Sequence, residues 1–197
     1  MFGLPSISKF LIEELIGVPP YECTRKSPSL DKYKIIKLKY NGRTPLFQLK
    51  IAKGRIVKIG DKLKLQLTIT DEGDQVGLKS LEKGLISQIV KYKRELRIPN
   101  FDPNYSGELI LRPFNDEEYE FILKIDQCSV FQIPKGDNFV TVDPKNLCEI
   151  DLVCSVIVRI DNLHHENALP IPQNYVTSCI ILDASKPEVE HTFNPDV

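Results

Sequence analysis

The chain has 197 residues, 26 of them basic and 27 acidic, and its formal net charge is −1. That length fits one large domain, or one domain with a short appendage. With 42% hydrophobic and 27% charged residues, the composition is that of a globular protein and excludes a disordered chain. No apolar run is long enough to span a bilayer, the charged N-terminal stretch does not resemble a signal peptide, and five scattered cysteines predict reduced cytoplasmic thiols.

The near-zero net charge conceals an asymmetry between the two halves of the chain. Residues 1–100 carry 20 basic and 10 acidic side chains, whereas residues 101–197 carry 6 basic and 17 acidic ones. The basic charge is densest between residues 31 and 64, where 11 Lys and Arg residues are accompanied by only two acids, Asp31 and Asp61. We therefore expect a polarised protein with one strongly basic surface.

The first predicted element is a short helix over residues 6–16, followed by a linker that reaches residue 31. Ser6 can cap the helix, Gly17 can end it, and Pro19 and Pro20 prevent its continuation. About three turns do not persist alone in water, so we expect this helix to dock on its own domain or on a partner. The residues that share its apolar face are Ile7, Phe10, Leu11 and Leu15.

Beyond residue 33 the hydrophobic period changes to two, which predicts strands. Asn41-Gly42 marks a hairpin, because a type I′ turn requires positive φ at both central residues. We predict no long helix after residue 17, although residues 76–92 are ambiguous. The candidate strands cover residues 34–40, 46–51, 62–70, 76–82, 85–97, 106–112, 117–126, 128–133, 138–142, 149–160 and 174–182. Their number and spacing predict an all-β sandwich or barrel over residues 32–185, followed by a flexible tail at 186–197.

The residues that could carry catalysis are sparse. His164 and His165 are adjacent, so on a strand they would point apart and could not readily share a metal; a solvated loop is the preferred interpretation. No nucleophile motif, zinc motif or phosphate loop is present in the sequence. We therefore predict that the protein is not an enzyme and has no catalytic, metal-binding or cofactor-binding residues.

The basic segment is the main candidate binding surface. Its cations alternate with aromatic residues, which fits a nucleic-acid face; contact with anionic lipid or an acidic protein, or protection of a sheet edge from aggregation, are the other interpretations. The candidate contact residues are Lys37, Lys39, Arg43, Lys50, Lys53, Arg55 and Lys58.

One short motif matches a known type of peptide ligand. Pro19, Pro20 and Tyr21 follow Val18 in a segment that could adopt polyproline II and engage a WW domain. The alternative is that the two prolines only end the preceding helix.

Several stretches together resemble an arrestin-like domain, the immunoglobulin-like sandwich of trafficking adaptors. They are a glycine and an acid followed by an alternating strand (residues 53–69), the strands at 76–81, 139–142 and 149–160, and the Leu-Pro-Ile turn at 169–171. The resemblance covers residues 33–182, one sandwich where the family has two in tandem. It implies binding through loops and sheet edges, with no catalytic residues.

From these observations we predict an immunoglobulin/arrestin-like antiparallel β-sandwich with a short N-terminal helix. Its predicted function is that of a non-enzymatic adaptor or scaffold subunit in intracellular membrane traffic. The expected partners are other protein subunits, with an anionic membrane surface as a further one, and the expected location is the cytoplasm or the periphery of endomembranes. The alternative is a single-stranded nucleic-acid-binding protein with an OB-like barrel.

Overall fold

The computed structural model describes residues 4–25, 32–105, 108–166 and 169–185, and strands dominate these ranges. One α-helix, α1 (Glu72–Lys91), lies between the fifth and sixth strands. The strands are β1 (Leu15–Gly17), β2 (Tyr21–Thr24), β3 (Lys32–Tyr40), β4 (Leu46–Ile59), β5 (Lys62–Ile69), β6 (Leu111–Pro113), β7 (Tyr119–Lys124), β8 (Val130–Lys135), β9 (Asn138–Thr141), β10 (Asp151–His165) and β11 (Ile171–Ser185).

Five of the eleven strands close into a ring. β4 pairs with β5, β5 with β7, β7 with β11, β11 with β10, and β10 returns to β4. Four of these pairings are antiparallel ladders, whereas β7 and β11 run parallel and are joined only at Lys124 and Tyr175. The ring is therefore a barrel with one weak seam.

The apolar side chains of the alternating strands fill the inside of this ring. Leu65 and Leu67 of β5, Phe121 and Leu123 of β7 and Val156 of β10 are all fully buried. Burial of apolar side chains on this scale is the main favourable term in folding. It also fixes the register, because a slip of one residue would move the apolar side chains of a strand to the outer face.

The predicted turn at Asn41-Gly42 is confirmed, whereas the predicted hairpin is not. Both residues have positive φ, 50° and 73°, and Tyr40 and Arg43 exchange backbone hydrogen bonds across the turn. Among the described residues this bridge is the only pairing between β3 and β4, because β10 lies between the two strands and pairs with both.

The prediction of strands at 76–82 and 85–97 is wrong, because this region forms α1. Asp71 caps the helix by accepting a hydrogen bond from the N–H of Asp74 (2.8 Å). The buried Leu78, Leu81, Leu85 and Ile89 recur at helical spacing. The helix was hard to recognise because its glycines and β-branched residues have low helix propensity.

The prediction of an N-terminal helix and a linker is also corrected. Residues Ile7–Lys9 and Ile12–Glu14 form two separate 3-10 turns, and the chain then enters β1 and β2, which both pair with β3. Residues 26–31 and the predicted tail at 186–197 lie outside the described residues. The N-terminal segment shares one core with the barrel, so it is not a separate appendage.

Polar side chains of α1 hold this segment in place. Gln88 accepts a hydrogen bond from the N–H of Gly17 (2.9 Å) and donates one to the carbonyl of Leu15 (3.1 Å). The hydroxyl of Tyr92 donates to the carbonyl of Gly17 (2.8 Å). At the other end of the helix, Gln75 donates to the carbonyls of Ile69 and Glu117, which ties α1 to the end of β5 and to the turn before β7.

The prediction of a predominantly β protein is confirmed. The strands belong to one connected mixed sheet, whereas a sandwich is built from two sheets that face each other. No helix in the described part of the chain is long and apolar enough to cross a membrane.

Gly77 is the position where α1 touches the N-terminal segment most closely. A Cβ atom there would lie 2.1 Å from the carbonyl oxygen of Ile7, a backbone atom that cannot rotate away. We expect Gly77→Ala to lower the free energy of unfolding by about 2 kcal/mol, measured by urea denaturation, despite the better helix propensity of Ala. Gly84→Ala is the control, because its nearest neighbour is the end of the flexible Leu15 side chain (3.1 Å). Equal stability of the two variants would contradict the packing described.

Asp74 gives the stability of the protein a dependence on pH. The side chain is 4% exposed, and burial together with the charge of Asp71 raises its pKa to about 6, against the opposing effect of Lys50. A raised carboxyl pKa stabilises the fold below the unfolded pKa of about 4, and this contribution is lost as the pH rises through 6. We expect Asp74→Asn to be more stable than the parent chain at pH 8 by about 1 to 2 kcal/mol, with a smaller difference near pH 4. Urea titrations at both pH values measure this; a difference independent of pH would contradict it.

Candidate functional site

A row of charged and aromatic residues crosses the strands of the barrel at one level. Lys64 of β5 lies opposite Lys124 of β7, Lys124 lies beside Tyr175 of β11, and Tyr175 lies opposite Arg159 of β10. We call these four residues the basic row. It brings together three cations and one aromatic ring that are far apart in the sequence.

Like charges meet directly within this row. Burial lowers the pKa of Lys124, and the positive charges of Lys62 and Lys64 lower it further. Across the described ranges, none of these three lysines forms an ion pair with a carboxylate. Because like charges directly opposite each other destabilise a sheet, an anion bound here would relieve repulsion that the fold contains.

The aromatic member of the row is flanked by cations. The Cζ atom of Arg159 lies 4.9 Å and the Nζ atom of Lys124 lies 5.7 Å from the ring centroid of Tyr175. Arg159 is held by Asp126 (3.0 Å) and Asp161 (2.7 Å). Burial works against its charge, but these hydrogen bonds outweigh it and raise the pKa of the guanidinium. Arg159 is therefore a fixed support for the ring. Lys124 donates a hydrogen bond to the side chain of Gln173, whereas Lys64 has no side-chain hydrogen bond among the described residues.

A cavity of about 160 Å³ lies beside the row, next to the weak seam between β7 and β11. We call it the seam cavity. Its lining contains three cations, Lys64, Lys124 and Arg112, and one acid, Glu120. Ile122 and Pro172 contribute apolar surface.

A second, larger polar pocket of about 390 Å³ includes residues from β3, from the end of β10 and from the loop after α1. Its cations are Lys32, Lys34 and Arg97, and their fields lower the pKa of Glu22, chiefly through its hydrogen bond with Lys32. Arg97 adopts a left-handed backbone conformation with a φ of 62°. His165 also lines this pocket, and its Nδ1 is buried without a hydrogen-bond partner.

His164 stacks on a residue of the second pocket, Tyr33, with the ring centroids 4.6 Å apart. Burial lowers the pKa of His164 against the opposing effect of Glu166, and the charges of Arg25 and Lys124 lower it further. The field of the basic row therefore extends to the stacked pair beside the second pocket.

The structure places the predicted basic residues on two different strands. Lys37 and Lys39 lie on β3, Arg43 lies in the turn, and the remaining predicted cations lie on β4. All seven are exposed. The expectation of a basic sheet edge is wrong for Lys53 and Arg55, because β4 pairs with β10 over residues 46–55 and with β5 over residues 53–59, and these two cations lie in the part paired on both sides.

Two of the predicted cations on β4 are already paired. Arg55 donates from Nε and Nη2 to one carboxylate oxygen of Asp151, at 2.9 and 2.6 Å. Lys53 lies 3.9 Å from Glu118. Exposed pairs of this kind contribute little to stability, but they reduce the positive field of this stretch.

The predicted docking residues at the N-terminus divide into two groups. Ile7, Phe10 and Leu15 are buried in the chain's own core, and Phe10 stacks on Tyr40 (5.1 Å between centroids). Leu11 is 47% exposed and is the one member of the set that remains accessible. Docking on the chain's own domain therefore accounts for the other three.

The Pro-Pro-Tyr motif connects β1 to β2. Pro19 is exposed and Pro20 is half-buried, whereas Tyr21 is the first residue of β2 and is paired with Ile35. The backbone at Tyr21 is thus part of a ladder, which differs from the free polyproline II segment that a WW domain binds.

His164 and His165 are not in a solvated loop. Both belong to β10, where His164 lies opposite Ile35 and Ile171, and His165 lies opposite Lys34. No group of three or more His, Cys, Asp or Glu residues that could hold a metal occurs among the described residues.

Sequence reasoning missed the basic row. Lys64 and Lys124 fall within the candidate strands 62–70 and 117–126. Their juxtaposition depends on the pairing of β5 with β7, which are separated by α1. Lys124 also lies in the acidic half of the sequence, where a search for clusters of basic residues passes over it.

A scan against models of known protein families gave no match, and a search of curated proteins gave no significant similarity.

Removing one charge from the basic row tests whether repulsion is stored there. We expect Lys64→Gln to raise the free energy of unfolding by about 0.5 kcal/mol at ~20 mM salt, because Lys124 loses its opposed cation, and we expect the gain to fade at ~0.5 M salt. Urea denaturation at both salt concentrations measures this.

Lys37→Gln is the matched control for this experiment. Lys37 is an exposed strand lysine whose neighbour on β10 is the uncharged Asn162. A gain of the same size in the control, or no gain at low salt for Lys64→Gln, would contradict the repulsion.

Proposed function

We propose that this protein binds single-stranded nucleic acid across the face of its barrel formed by β5, β7 and β11. The observation that carries the proposal is the basic row, in which unpaired lysines face each other beside an aromatic ring. Cations that follow a phosphate backbone, combined with aromatic side chains on which bases stack, are the common elements of single-strand binding without sequence readout.

The architecture supports the same proposal. A five-stranded, partly open barrel is the scaffold of the OB-fold, whose strand faces and adjoining loops bind oligonucleotides. Here the ring has one weak parallel seam, and the basic row crosses that seam. Fold alone does not define function, so the weight of the argument remains on the row.

The second pocket extends the surface on which a strand could lie. From the basic row, the stacked pair of His164 and Tyr33 leads to Lys34 and Arg97. Both ends are basic and an aromatic platform lies between them. A single strand several nucleotides long could therefore cross the hairpin between β10 and β11 with cations at both ends.

The acidic second half of the chain opposes this proposal less than its composition indicates. Asp126 and Asp161 are bound to Arg159, and Asp151 is bound to Arg55. Glu166 lies 2.8 Å from Arg25. These ion pairs reduce the negative charge that a nucleic acid would meet, but Asp126 and Asp161 share the single cation of Arg159. Glu120 also lines the seam cavity beside Lys64 and Lys124.

A second candidate is the adaptor role expected from the arrestin-like resemblance, and one observation favours it. β9 is an edge strand that pairs only with β8, and its Phe139 and Val140 are about half exposed. Such an edge can accept a strand from another protein. We rank this role second because the edge carries no charge pattern that identifies a partner. Neither candidate requires catalysis, and a non-enzymatic role is part of both proposals.

The test of nucleic-acid binding is the affinity for single strands at two salt concentrations. We expect the protein to bind oligonucleotides of about 12 nucleotides at ~50 mM salt and to lose affinity steeply by ~200 mM, since counterions are released from the strand. In fluorescence anisotropy, the double variant K64E/K124E should bind at least about tenfold more weakly and show a shallower salt dependence.

Lys83→Glu provides the matched charge reversal, because Lys83 is an exposed lysine on α1 outside the row. It should leave the affinity within about twofold of the parent chain. Absence of binding by the parent chain at ~50 mM salt would eliminate this function. Equal weakening by Lys83→Glu would show that net charge, and not the row, determines binding.

A further inference from the structure

Lys124 lies at the wall of the seam cavity, among other cations. We propose that its amine captures an abasic nucleotide of the bound strand, by forming an imine with the aldehyde of a sugar that has lost its base. This inference rests on the proposed function and adds a covalent step to it. The step is a capture without turnover, and its central observation is the placement of this amine.

Lys124 reaches the cavity from the outer face of β7. Its strand neighbours Phe121 and Leu123 are fully buried, whereas Lys124 is partly exposed and lines the cavity. Its amine donates a hydrogen bond to the side chain of Gln173, and no carboxylate in the described part of the chain forms an ion pair with it. A neutral amine donates to an amide oxygen as an ammonium does, so this contact does not hold the extra proton on Lys124.

The surroundings of Lys124 favour the uncharged form of its amine. Lys64 lies directly opposite on β5, and burial together with the charges of Lys62 and Lys64 lowers the pKa of Lys124. Tyr175 and His164 add no charge at neutral pH, because burial raises the pKa of the phenol and lowers the pKa of the imidazole. Lysines that form imines depend on such surroundings, since only the neutral amine is a nucleophile.

The acids near the amine are engaged by other groups. Glu120 also lines the seam cavity, but it accepts a hydrogen bond from Gln66 and lies opposite Arg112. Asp126 is bound to Arg159. Neither carboxylate therefore supplies the ion pair that would keep the amine protonated.

The size and lining of the cavity suit a sugar without a base. At about 160 Å³ the cavity is smaller than the roughly 300–1,000 Å³ of sites for drug-sized ligands, so it accommodates a single pentose better than a whole nucleotide. Lys64 and Arg112 provide positive charge for the phosphates on either side of that sugar. Ile122 and Pro172 provide apolar surface that excludes water, which favours the loss of water when an imine forms.

The proposed step is a condensation in which nothing is oxidised or reduced. The abasic sugar in its open form carries an aldehyde at C1′. The neutral amine of Lys124 attacks this carbon and a C–N bond forms. The carbonyl oxygen takes up the two protons of the amine and leaves as water, and the product is an imine between the lysine nitrogen and C1′. The capture itself breaks no bond of the phosphate backbone.

The experiment uses the full chain and two oligonucleotides of about 12 nucleotides at ~50 mM salt, one intact and one with a single abasic site. Borohydride converts an imine into a stable secondary amine, because its hydride adds to the carbon and water protonates the nitrogen. We expect a covalent adduct in a denaturing gel with the abasic strand only. Peptide mass spectrometry should place this adduct mainly on Lys124. An adduct spread over the exposed lysines without preference for Lys124 would overturn the capture.

Lys124→Arg tests the amine directly, because arginine keeps the positive charge but has no primary amine. Each protein is used well above its own dissociation constant, so that all of the strand is bound and weaker binding does not lower the yield. We expect the adduct yield of Lys124→Arg to fall at least about tenfold. Lys83→Arg is the matched control, since Lys83 is exposed on α1 and does not line the seam cavity; it should give the yield of the parent chain. Equal yields from the two variants would overturn the capture.

A pH profile distinguishes a nucleophilic amine from a structural lysine. The initial rate of trapping should fall as the pH is lowered through the pKa of Lys124, because the amine becomes protonated. In Lys64→Gln the opposed cation is absent, so we expect this decline to begin at a pH higher by about half a unit. An unchanged profile in Lys64→Gln would contradict the activation on which the capture depends.

The outcomes separate the two proposals. Binding of the intact strand without an adduct on Lys124 would overturn the capture and leave the proposed function standing. An adduct on Lys124 that is lost in Lys124→Arg and retained in Lys83→Arg would support both. No binding of either strand would overturn the proposed function itself, and the capture with it.

Discussion

The pairing of β10 on both of its edges is the constraint on which the rest of the structure depends. Its first part lies between β4 and β11, and its last part lies between β3 and β11. The ring closes because β10 pairs with both β4 and β11, and its 15 residues are long enough to pair with β3 as well. Its inward residues, from Leu152 to Ile160, are fully buried, so the register that closes the ring is also the register that fills the core. The position of the basic row follows from this, since Arg159 and Tyr175 meet across the ladder between β10 and β11.

The fold could be predicted from the sequence wherever one local signal determined the structure. Alternation identified β3, β5, β7 and β10, and the Asn-Gly pair identified the turn that precedes β4, because each depends only on neighbouring residues. α1 was missed since its buried face includes Asp74, Gln75 and Gln88, polar residues that weaken the apolar period. Their burial is explained by tertiary contacts, such as the bonds of Gln88 to the segment around β1, which a local pattern does not contain.

The candidate site was beyond sequence reasoning for a related reason. A cluster of basic residues is visible in the sequence between residues 31 and 64, but the fold disperses it over three strands, β3, β4 and β5, and pairs part of it with acids from the second half. The basic row is assembled from residues of four strands, and three of these residues come from the acidic half. Charge density along a chain therefore describes a β protein poorly, because neighbours in a sheet are set by register.

The order of the strands along the chain has a kinetic consequence. Arg55 and Asp151 are 96 residues apart, and the strands that complete the barrel are the last ones of the described chain to be synthesised. Contacts over such distances give a high contact order, and proteins of this kind fold slowly because loop closure precedes any gain in burial. While only residues 1–100 have been made, the growing chain carries 20 basic and 10 acidic side chains, and residues 101–150 then add 10 acidic and 4 basic ones before β10 begins. The unfinished protein is therefore most basic early in synthesis, and its attraction to polyanions weakens before the last strands close the ring.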